Sequence, residues 1–363
     1  MPDTTASPLS PTDHTRHHNA AVPFDFDADD FERSTRGLIA QITDGVILDT
    51  KGSTTWDMRR YGFLADDAPV DSVHPSLWRQ ARLNAAHGLF EVAPGCWQAR
   101  GYDISNITFI EGQSGWIVID PLTSETSAAA CLRLANDTLG ERPVTAVIYT
   151  HSHLDHYGGV LGVVSRADVD AGRTQIIAPD GFMREVVAEN VIAGPAMLRR
   201  ALYQFGTTLP AGPLGHVDCG LGKGIPIGPN GLIPPTHSIT TTGEELDVDG
   251  VRIVFQNTPN SEAPAEMHFY FPEQRWLCLA ENCTHTMHNL IPIRGAQARD
   301  SLAWSKYIQE AIDMFGDRTD VAFASHHWPR FGTDDVRSYM TLQRDLYRWI
   351  HDQIVTDAPC PSY

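Results

Sequence analysis

The sequence has few of the features that would place it in a membrane, on nucleic acid or in an oxidising compartment. It lacks an apolar run near 18 residues, so no membrane span is predicted. Its six cysteines form no C-x-x-C pair and no dense framework, which favours a reducing compartment. Positive charge is scarce. The formal net charge of −18 argues against nucleic acid or an anionic membrane surface as a partner.

The first 20 residues lack the apolar core of a secretory signal, so the expected location is the cytoplasm. Their polar composition cannot bury enough apolar surface to order the backbone. We therefore expect a disordered tail over residues 1–21, one large domain over residues 22–355 and a short tail over residues 356–363.

Candidate metal ligands are concentrated in THSHLDHYGG, residues 150–159. The preceding VTAVIY is rich in β-branched residues and predicts a buried strand. Alternate side chains of an extended backbone point the same way, so His151 and His153 can bind one ion together. Asp155 and His156 lie beyond the turn and can bind a second. Histidine nitrogens and carboxylate oxygens are the ligands of catalytic zinc, so the turn predicts a metal centre.

Strands and helices alternate along the chain, which predicts layered α/β packing. ITFIEG and WIVID indicate a hairpin, SLWRQARLNAAHGLFEV (76–92) a helix, and residues 179–205 one or two helices broken at Gly194-Pro195. Glu262, Glu281 and His326 each follow a predicted strand. A loop glutamate is usually a solvated charge, so the residues alone leave their roles open.

Longer segments carry a more specific signal. A strand followed by HxHxDH resembles the metallo-β-lactamase superfold. TPNSEAPAEMHFYFPE, LCLAENCTHTMHNLIPIRGA and FASHHWP resemble the alkylsulfatases of that superfold, which cleave long-chain alkyl sulfate esters. The resemblance covers roughly residues 49–355. It implies an αββα sandwich with two zinc ions at one edge, between the sheets.

The resemblance also assigns the remaining ligands. It implies that Glu262 binds the first zinc ion, that Glu281 bridges the two, and that His326 binds the second, with His327 as the competing ligand. Asn260 and Ser261 depart mildly from the family pattern. A ligand set this rich in carboxylates also suits manganese or iron.

The catalytic residues implied by the resemblance are His288 and Asp155. His288 would protonate the leaving group, since histidine titrates near neutral pH, and His285 is the lower-ranked neighbour. Arg294 would contact the sulfate, because a guanidinium can hold two oxygens of such a group at once. The implied substrate is a small anionic amphiphile such as dodecyl sulfate.

The sequence also leaves other interpretations of the function open. Lactamases, thioesterases and lactonases of the superfold use a third histidine, which would have to be His216 or His237, and neither ends a clear strand. The chain could therefore be another hydrolase acting on esters, lactones or thioesters, or a non-catalytic metal-binding remnant. Alkylsulfatases continue past this length, so the chain resembles their catalytic domain alone. Apolar residues on more than one face of the helix predicted over residues 333–355 favour a homodimer.

Overall fold

Two β-sheets stacked face to face lie at the centre of the computed structural model, which describes residues 10–22, 28–66 and 70–357. In those residues the strands are β1 (Leu38–Ala40), β2 (Val46–Leu48), β3 (Thr54–Asp57), β4 (Gly88–Ala93), β5 (Cys96–Arg100), β6 (Ile107–Glu111), β7 (Trp116–Ile119), β8 (Val144–Ile148), β9 (Gln175–Pro179), β10 (His237–Ile239), β11 (Glu245–Val248), β12 (Val251–Asn257), β13 (Met267–Phe271), β14 (Trp276–Cys278), β15 (Val321–Phe323) and β16 (Arg330–Phe331).

The first sheet has eight strands in the order β1-β4-β5-β6-β7-β8-β9-β10, and the second has six in the order β11 to β16. Strands β4 to β7 pair antiparallel, whereas β7, β8, β9 and β10 are parallel. Strands β2 and β3 form a separate hairpin. Helices cover both outer faces, so the predicted αββα sandwich is confirmed.

The apolar core between the sheets joins side chains from both. Ile117 and Ile148 of the first sheet meet Phe255 and Phe269 of the second, and all four are fully buried. Because successive side chains of a strand point to opposite faces, the same strands also supply residues to the outer layers. Burying this surface is the main favourable contribution to folding.

The helices of the described residues are α1 (Asp13–Ala20), α2 (Asp29–Thr35), α3 (Pro75–Leu83), α4 (Glu125–Leu139), α5 (Arg166–Asp170), α6 (Phe182–Val186), α7 (Gly194–Gln204), α8 (Ser301–Phe315) and α9 (Thr333–Asp357). Helix α4 packs on the first sheet, and helices α8 and α9 pack on the second. Asp300 caps α8 by accepting hydrogen bonds from Leu302 N and Ala303 N, both at 3.0 Å.

Helix α1 lies inside the segment that composition predicts to be disordered, so residues 13–20 differ from that prediction. Thr12 caps the helix by accepting from Thr15 N, and Asp13 lies in the first turn, where a negative charge is favourable. Arg16 then binds Asp71, with Nε 2.8 Å from Oδ2. Residues 1–9 and 358–363 lie outside the described residues, and the domain boundaries remain predictions.

A second difference concerns residues 76–92, which the sequence predicts as one helix. Helix α3 ends at Leu83, and strand β4 begins at Gly88. Gly88 has a φ of 143°, a value that side chains rarely allow, and pairs with Arg100 of β5. The hydrogen bonds of the sheet therefore outweigh the helical spacing of apolar residues.

One face of helix α9 packs against the protein and another lies open. Val336, Met340 and Tyr347 are fully buried, whereas Leu342 and Trp349 are exposed. No helix in the described ranges is long and apolar enough to cross a bilayer. The five cysteines among the described residues are free thiols, and Cys360 lies outside them.

Candidate metal centre

The turn after strand β8 places four polar side chains at one edge of the sandwich, between the two sheets. His151 pairs with Glu266 of the facing loop as an isolated β-bridge, and Met267 N donates to Thr150 O at 3.0 Å. A short 3₁₀ turn, Leu154–His156, then reverses the chain. The backbone of the turn is therefore fixed to the loop that carries the other candidate ligands.

A first group of four ligand atoms converges on one point. His151 Nε2 lies 3.2 Å from Glu281 Oε2 and 3.4 Å from Glu262 Oε2, while His153 Nδ1 lies 2.9 Å from Glu262 Oε2. All four side chains are buried. This is the set that the sequence and the family resemblance assign to the first metal ion.

A second group lies beside the first and shares one carboxylate with it. Glu281 Oε2 lies 3.3 Å from both His156 Nε2 and His326 Nε2, and Asp155 Oδ2 lies 3.0 Å from His156 Nε2. Since Glu281 belongs to both groups, the two sets contain seven residues. The structure therefore brings together all seven predicted ligands.

The donor atoms fit a divalent metal ion. His151 Nε2, His156 Nε2, His326 Nε2 and Glu262 Oε2 are buried and have no hydrogen-bond partner. Ligand atoms that share a tetrahedral ion at about 2.0–2.2 Å are separated by roughly 3.3–3.6 Å. The separations above match this range or lie slightly below it. Buried polar atoms without partners are costly, so a cation is the natural occupant.

Asp120 orients two of the histidines, although it is not among the predicted ligands. Its Oδ2 accepts from His156 Nδ1 at 2.9 Å, from Ser325 Oγ at 2.8 Å and from the Thr150 hydroxyl at 2.7 Å. The Thr150 hydroxyl in turn accepts from His151 Nδ1 at 2.9 Å. Both histidines therefore carry the proton on Nδ1 and turn Nε2 toward the centre.

His326 is oriented in the same way by the backbone. Its Nδ1 donates to Ile104 O at 2.9 Å. The competing residue His327 uses both ring nitrogens elsewhere, since Nδ1 accepts from His285 N at 2.9 Å and Nε2 donates to Gly220 O at 2.8 Å. The geometry thus favours His326 as the ligand.

Glu266, a second residue missed in the sequence, ties together the two loops that carry the glutamates. Its Oε2 accepts from Glu262 N and Ala263 N, both at 3.0 Å, and its Oε1 accepts from Glu281 N at 3.1 Å. Ser261 Oγ adds a bond of 2.9 Å. In the sequence, Glu266 is marked only by its position four residues after Glu262. That position does not tell whether Glu266 binds the metal or holds the loops that carry the ligands.

The electrostatics keep both central glutamates anionic. Burial acts to raise the pKa of Glu281, but His326 and its other histidine neighbours hold that pKa well below its ordinary value. Burial likewise acts to raise the pKa of Glu262, but Arg299 and His153 together hold the pKa of that carboxyl well below its ordinary value. Metal ligands must be deprotonated, so both side chains are ready to bind a cation.

His288 lies against the centre and is buried. Its Nε2 is 2.8 Å from Glu281 Oε1, and Arg299 Nη1 donates to its Nδ1 at 2.8 Å. The proton therefore sits on Nε2. Arg299 also binds Glu262 Oε1, and this buried arginine is a third residue that the sequence did not reveal.

The other histidines weighed from the sequence lie away from the seven ligands. Burial lowers the pKa of His285 to about 3, so it stays neutral, and it stacks on Trp328 with ring centroids 4.2 Å apart. His216 contacts Cys219, with Nε2 3.5 Å from Sγ. His237 contacts Glu244. None of the three belongs to a ligand cluster of the described residues.

Arg294, the predicted sulfate contact, lies at the edge of the centre. Its Nη2 donates to Glu189 Oε1 at 3.0 Å, and its backbone N–H donates to Gln204 Oε1 of helix α7 at 2.9 Å. Glu189 Oε2 is in turn 3.6 Å from His153 Nε2. A carboxylate therefore links the arginine to a metal-ligand candidate.

Asp120→Asn is expected to weaken metal binding by roughly 10–100-fold, the usual effect of removing an outer partner of a ligating histidine. Asp120 accepts at both oxygens, with Thr150 N at Oδ1 and three donors, including His156 Nδ1, at Oδ2. The amide keeps one acceptor oxygen and loses the negative charge, so an NH2 group faces donors on one side and the contact that orients His156 weakens. Chelator competition measures the zinc affinity. Asp137→Asn, an exposed site on helix α4, is the control. Equal affinities in the two variants would contradict the assigned role.

The sequence was compared with models of protein families and with known proteins. Residues 100–326 match the family model described as the metallo-beta-lactamase superfamily. The chain is 50% identical over 332 residues to an alkyl/aryl-sulfatase of Saccharomyces cerevisiae, covering 92% of this chain and 51% of that protein. It is 48% identical over 354 residues to a linear primary-alkylsulfatase of Pseudomonas sp, covering 96% of this chain and 52% of that protein.

A solved structure agrees closely with the fold. The stereoselective inverting sec-alkylsulfatase from Pseudomonas sp. superposes with a TM-score of 0.93 at 43% identity, covering 96% of this chain and 56% of that one. The chain therefore spans about half the length of the relatives it matches.

Proposed function

The chain belongs to the metallo-beta-lactamase superfamily, and from this we propose that it is a binuclear zinc hydrolase that cleaves alkyl sulfate esters to an alcohol and sulfate. One observation carries the proposal: two ligand groups share Glu281 in a chain that is 45–50% identical to three alkylsulfatases over most of its length. Glu262 and Glu281 occupy two ligand positions. This distinguishes the site from those of lactamases, thioesterases and lactonases, which use a third histidine.

In the proposed site, His151, His153 and Glu262 hold the first ion, and Asp155, His156 and His326 hold the second, with Glu281 between them. Bound divalent ions supply Lewis acidity and lower the pKa of water to about 7. Zinc suits the mixture of imidazole and carboxylate ligands, and manganese or iron would also be compatible.

The protein's own groups bind the substrate and supply the proton. Arg294 holds the sulfate, because a planar guanidinium can donate to two oxygens at once. His288 Nε2 carries a proton and lies 2.8 Å from Glu281 Oε1. We assign the protonation of the leaving oxygen to the imidazolium form of this ring, in which Nδ1 also carries a proton and donates it to Asn289 O, 3.2 Å away, so that loss of the Nε2 proton leaves a neutral imidazole. Ile291 and Ile293 precede Arg294 on the same loop and are exposed, as is Leu198 on helix α7. A charged group beside apolar side chains suits an anionic amphiphile.

The experiment is to saturate the full chain with zinc and to measure metal content and sulfate released from dodecyl sulfate together. Two ions per chain with sulfate release support the proposal. Two ions with turnover only of carboxylic esters, lactones or thioesters would indicate a different hydrolase of the superfamily. Bound metal without any turnover would indicate a metal-binding module.

We also propose a homodimer formed through the open face of helix α9. Leu342 and Trp349 are seven residues apart and so lie on one face, and they are 65% and 61% exposed. Trp349→Glu is expected to weaken self-association at least about tenfold without loss of metal, as measured by sedimentation over a concentration series. A strictly monomeric wild-type chain at high concentration would contradict the dimer.

A further inference from the structure

Glu189 stands between the metal centre and the predicted sulfate contact. It lies on a π-helical segment, Val187–Ile192, inserted between helices α6 and α7. Its Oε1 accepts from Arg294 Nη2 at 3.0 Å, and its Oε2 lies 3.6 Å from His153 Nε2. π-Helical turns are rare and are frequently found at functional sites, so the placement of this carboxylate favours a functional role.

The contact creates a competition for Arg294. The Arg294 and Glu189 side chains are 15% and 14% exposed, so water screens their attraction only partly. A sulfate ester presents its own anionic oxygens to the same guanidinium. A sulfate oxygen that binds Arg294 Nη2 has to displace the Glu189 carboxylate from that donor. Two anions held side by side on one guanidinium would also repel each other.

We propose that Glu189 is a specificity-determining residue that holds Arg294 until an anionic ester displaces it. A sulfate ester can replace the lost ion pair with a new one, whereas a neutral carboxylic ester, lactone or thioester cannot. Breaking the Glu189–Arg294 ion pair thus costs free energy for every substrate, and only an anionic substrate regains it by binding Arg294. This inference rests on the proposed function, because it takes Arg294 as the sulfate contact.

The contact with His153 provides a competing explanation. A ligating histidine usually donates its second ring N–H to a carboxylate, and Glu189 Oε2 is the carboxylate oxygen near His153 Nε2, 3.6 Å away and just beyond hydrogen-bond distance. Glu189→Gln separates the two roles. Glutamine keeps an oxygen that can accept from His153, but it removes the charge that competes with sulfate.

Glu185→Gln is a matched control. Glu185 lies on helix α6 only four residues earlier, its side chain is 15% exposed, and it also pairs with an arginine, with Oε1 2.6 Å from Arg184 Nε. The two variants therefore remove the same charge, at a similar exposure, from neighbouring turns. Only the first of them contacts Arg294.

The test uses the zinc-loaded full chain and measures zinc content, kcat and KM for dodecyl sulfate below its micelle concentration, and the dissociation constant of inorganic sulfate. Glu189→Gln is expected to lower both KM and the sulfate dissociation constant roughly two- to fivefold at low salt, the upper range for a partly exposed ion pair. Zinc content should not change, the difference should shrink at high salt, and Glu185→Gln should match wild type.

An unchanged or higher KM of Glu189→Gln with full zinc content would overturn the inference. A loss of zinc from this variant would overturn it as well and would show that Glu189 acts by orienting His153. Failure of the proposed function looks different, because then neither wild type nor variant releases sulfate from the ester. Tighter binding of inorganic sulfate by Glu189→Gln would still support the displacement of Glu189 in that case.

Discussion

Replacing Glu281 with alanine is expected to remove both metal ions together and to end turnover. Glu281 Oε2 lies 3.2 Å from His151 Nε2 and 3.3 Å from His156 Nε2 and His326 Nε2. Among the described residues it is the one carboxylate common to both ligand groups. Metal ions contribute several kcal/mol of charge stabilisation to hydrolysis, so the rate should fall roughly a thousandfold or more.

Elemental analysis of the metal-saturated, gel-filtered protein measures this directly. Glu262→Ala is the informative comparison, since Glu262 contacts only the first ligand group and its loss should leave one ion bound. Glu273→Ala, an exposed glutamate on the turn between β13 and β14, controls for the loss of a negative charge. One ion retained by Glu281→Ala would demote Glu281 to a ligand of a single metal ion.

The part of the centre that the sequence revealed best is the part whose ligands are close together in the chain. His151, His153, Asp155 and His156 occupy six consecutive positions after a buried strand, so the period of a strand and one turn suffice to divide them into two pairs. The structure groups them in the same pairs. Glu262, Glu281 and His326 are far apart in sequence, and only the family resemblance distinguished them from solvated side chains.

The supporting residues could not be recognised in this way. Asp120 meets His156 across 36 positions of the chain, and Arg299 meets Glu262 across 37. Asp120 follows β7 and His156 follows the paired strand β8, while Glu262 follows β12 and Arg299 precedes helix α8. Contacts of this kind depend on which strands pair and how the loops after them fold, which no local pattern encodes. Asp120 does end the apolar strand WIVID, and that position at a strand end was the one available signal.

The backbone conformation at the site could not be predicted from the sequence either. Asp120, Ala280 and His327 have φ values of 52°, 49° and 64°, and each is next to or within one residue of a strand end, a ligand or both. Non-glycine residues with positive φ cost free energy and cluster at functional sites. The surrounding hydrogen bonds, such as Ser325 N to Ala280 O at 2.8 Å, hold these conformations in place.

Two segments have a structure that differs from the one their composition or apolar spacing predicts. Composition made residues 13–20 look disordered, although Thr12 and Asp13 cap a helix there, and apolar spacing made residues 84–92 look helical, although Gly88 opens a strand. In both places the observed structure depends on residues at the end of an element, the cap of the helix and the first pair of the strand. An average over a window of residues does not detect such a signal.

His288→Gln is expected to keep both metal ions and to lower sulfate release by two or more powers of ten, the range of a general acid. His288 Nε2 carries a proton because Arg299 Nη1 donates to Nδ1, and Nε2 lies 2.8 Å from Glu281 Oε1. Glutamine can still donate an N–H to Glu281, so the carboxylate keeps its orientation. Glutamine cannot transfer a proton to the leaving oxygen, so the rate of the chemical step should fall.

The second role open to His288 is to orient Glu281, and metal content together with rate separates the two. A general acid predicts that His288→Gln and His288→Ala retain the metal and lose the rate alike. An orienting residue predicts that alanine loses metal while glutamine restores both metal and rate. His285→Gln serves as the control, since His285 stacks on Trp328 away from the ligands. Rate recovery in His288→Gln would remove His288 from proton transfer and leave the leaving group to be protonated by another donor.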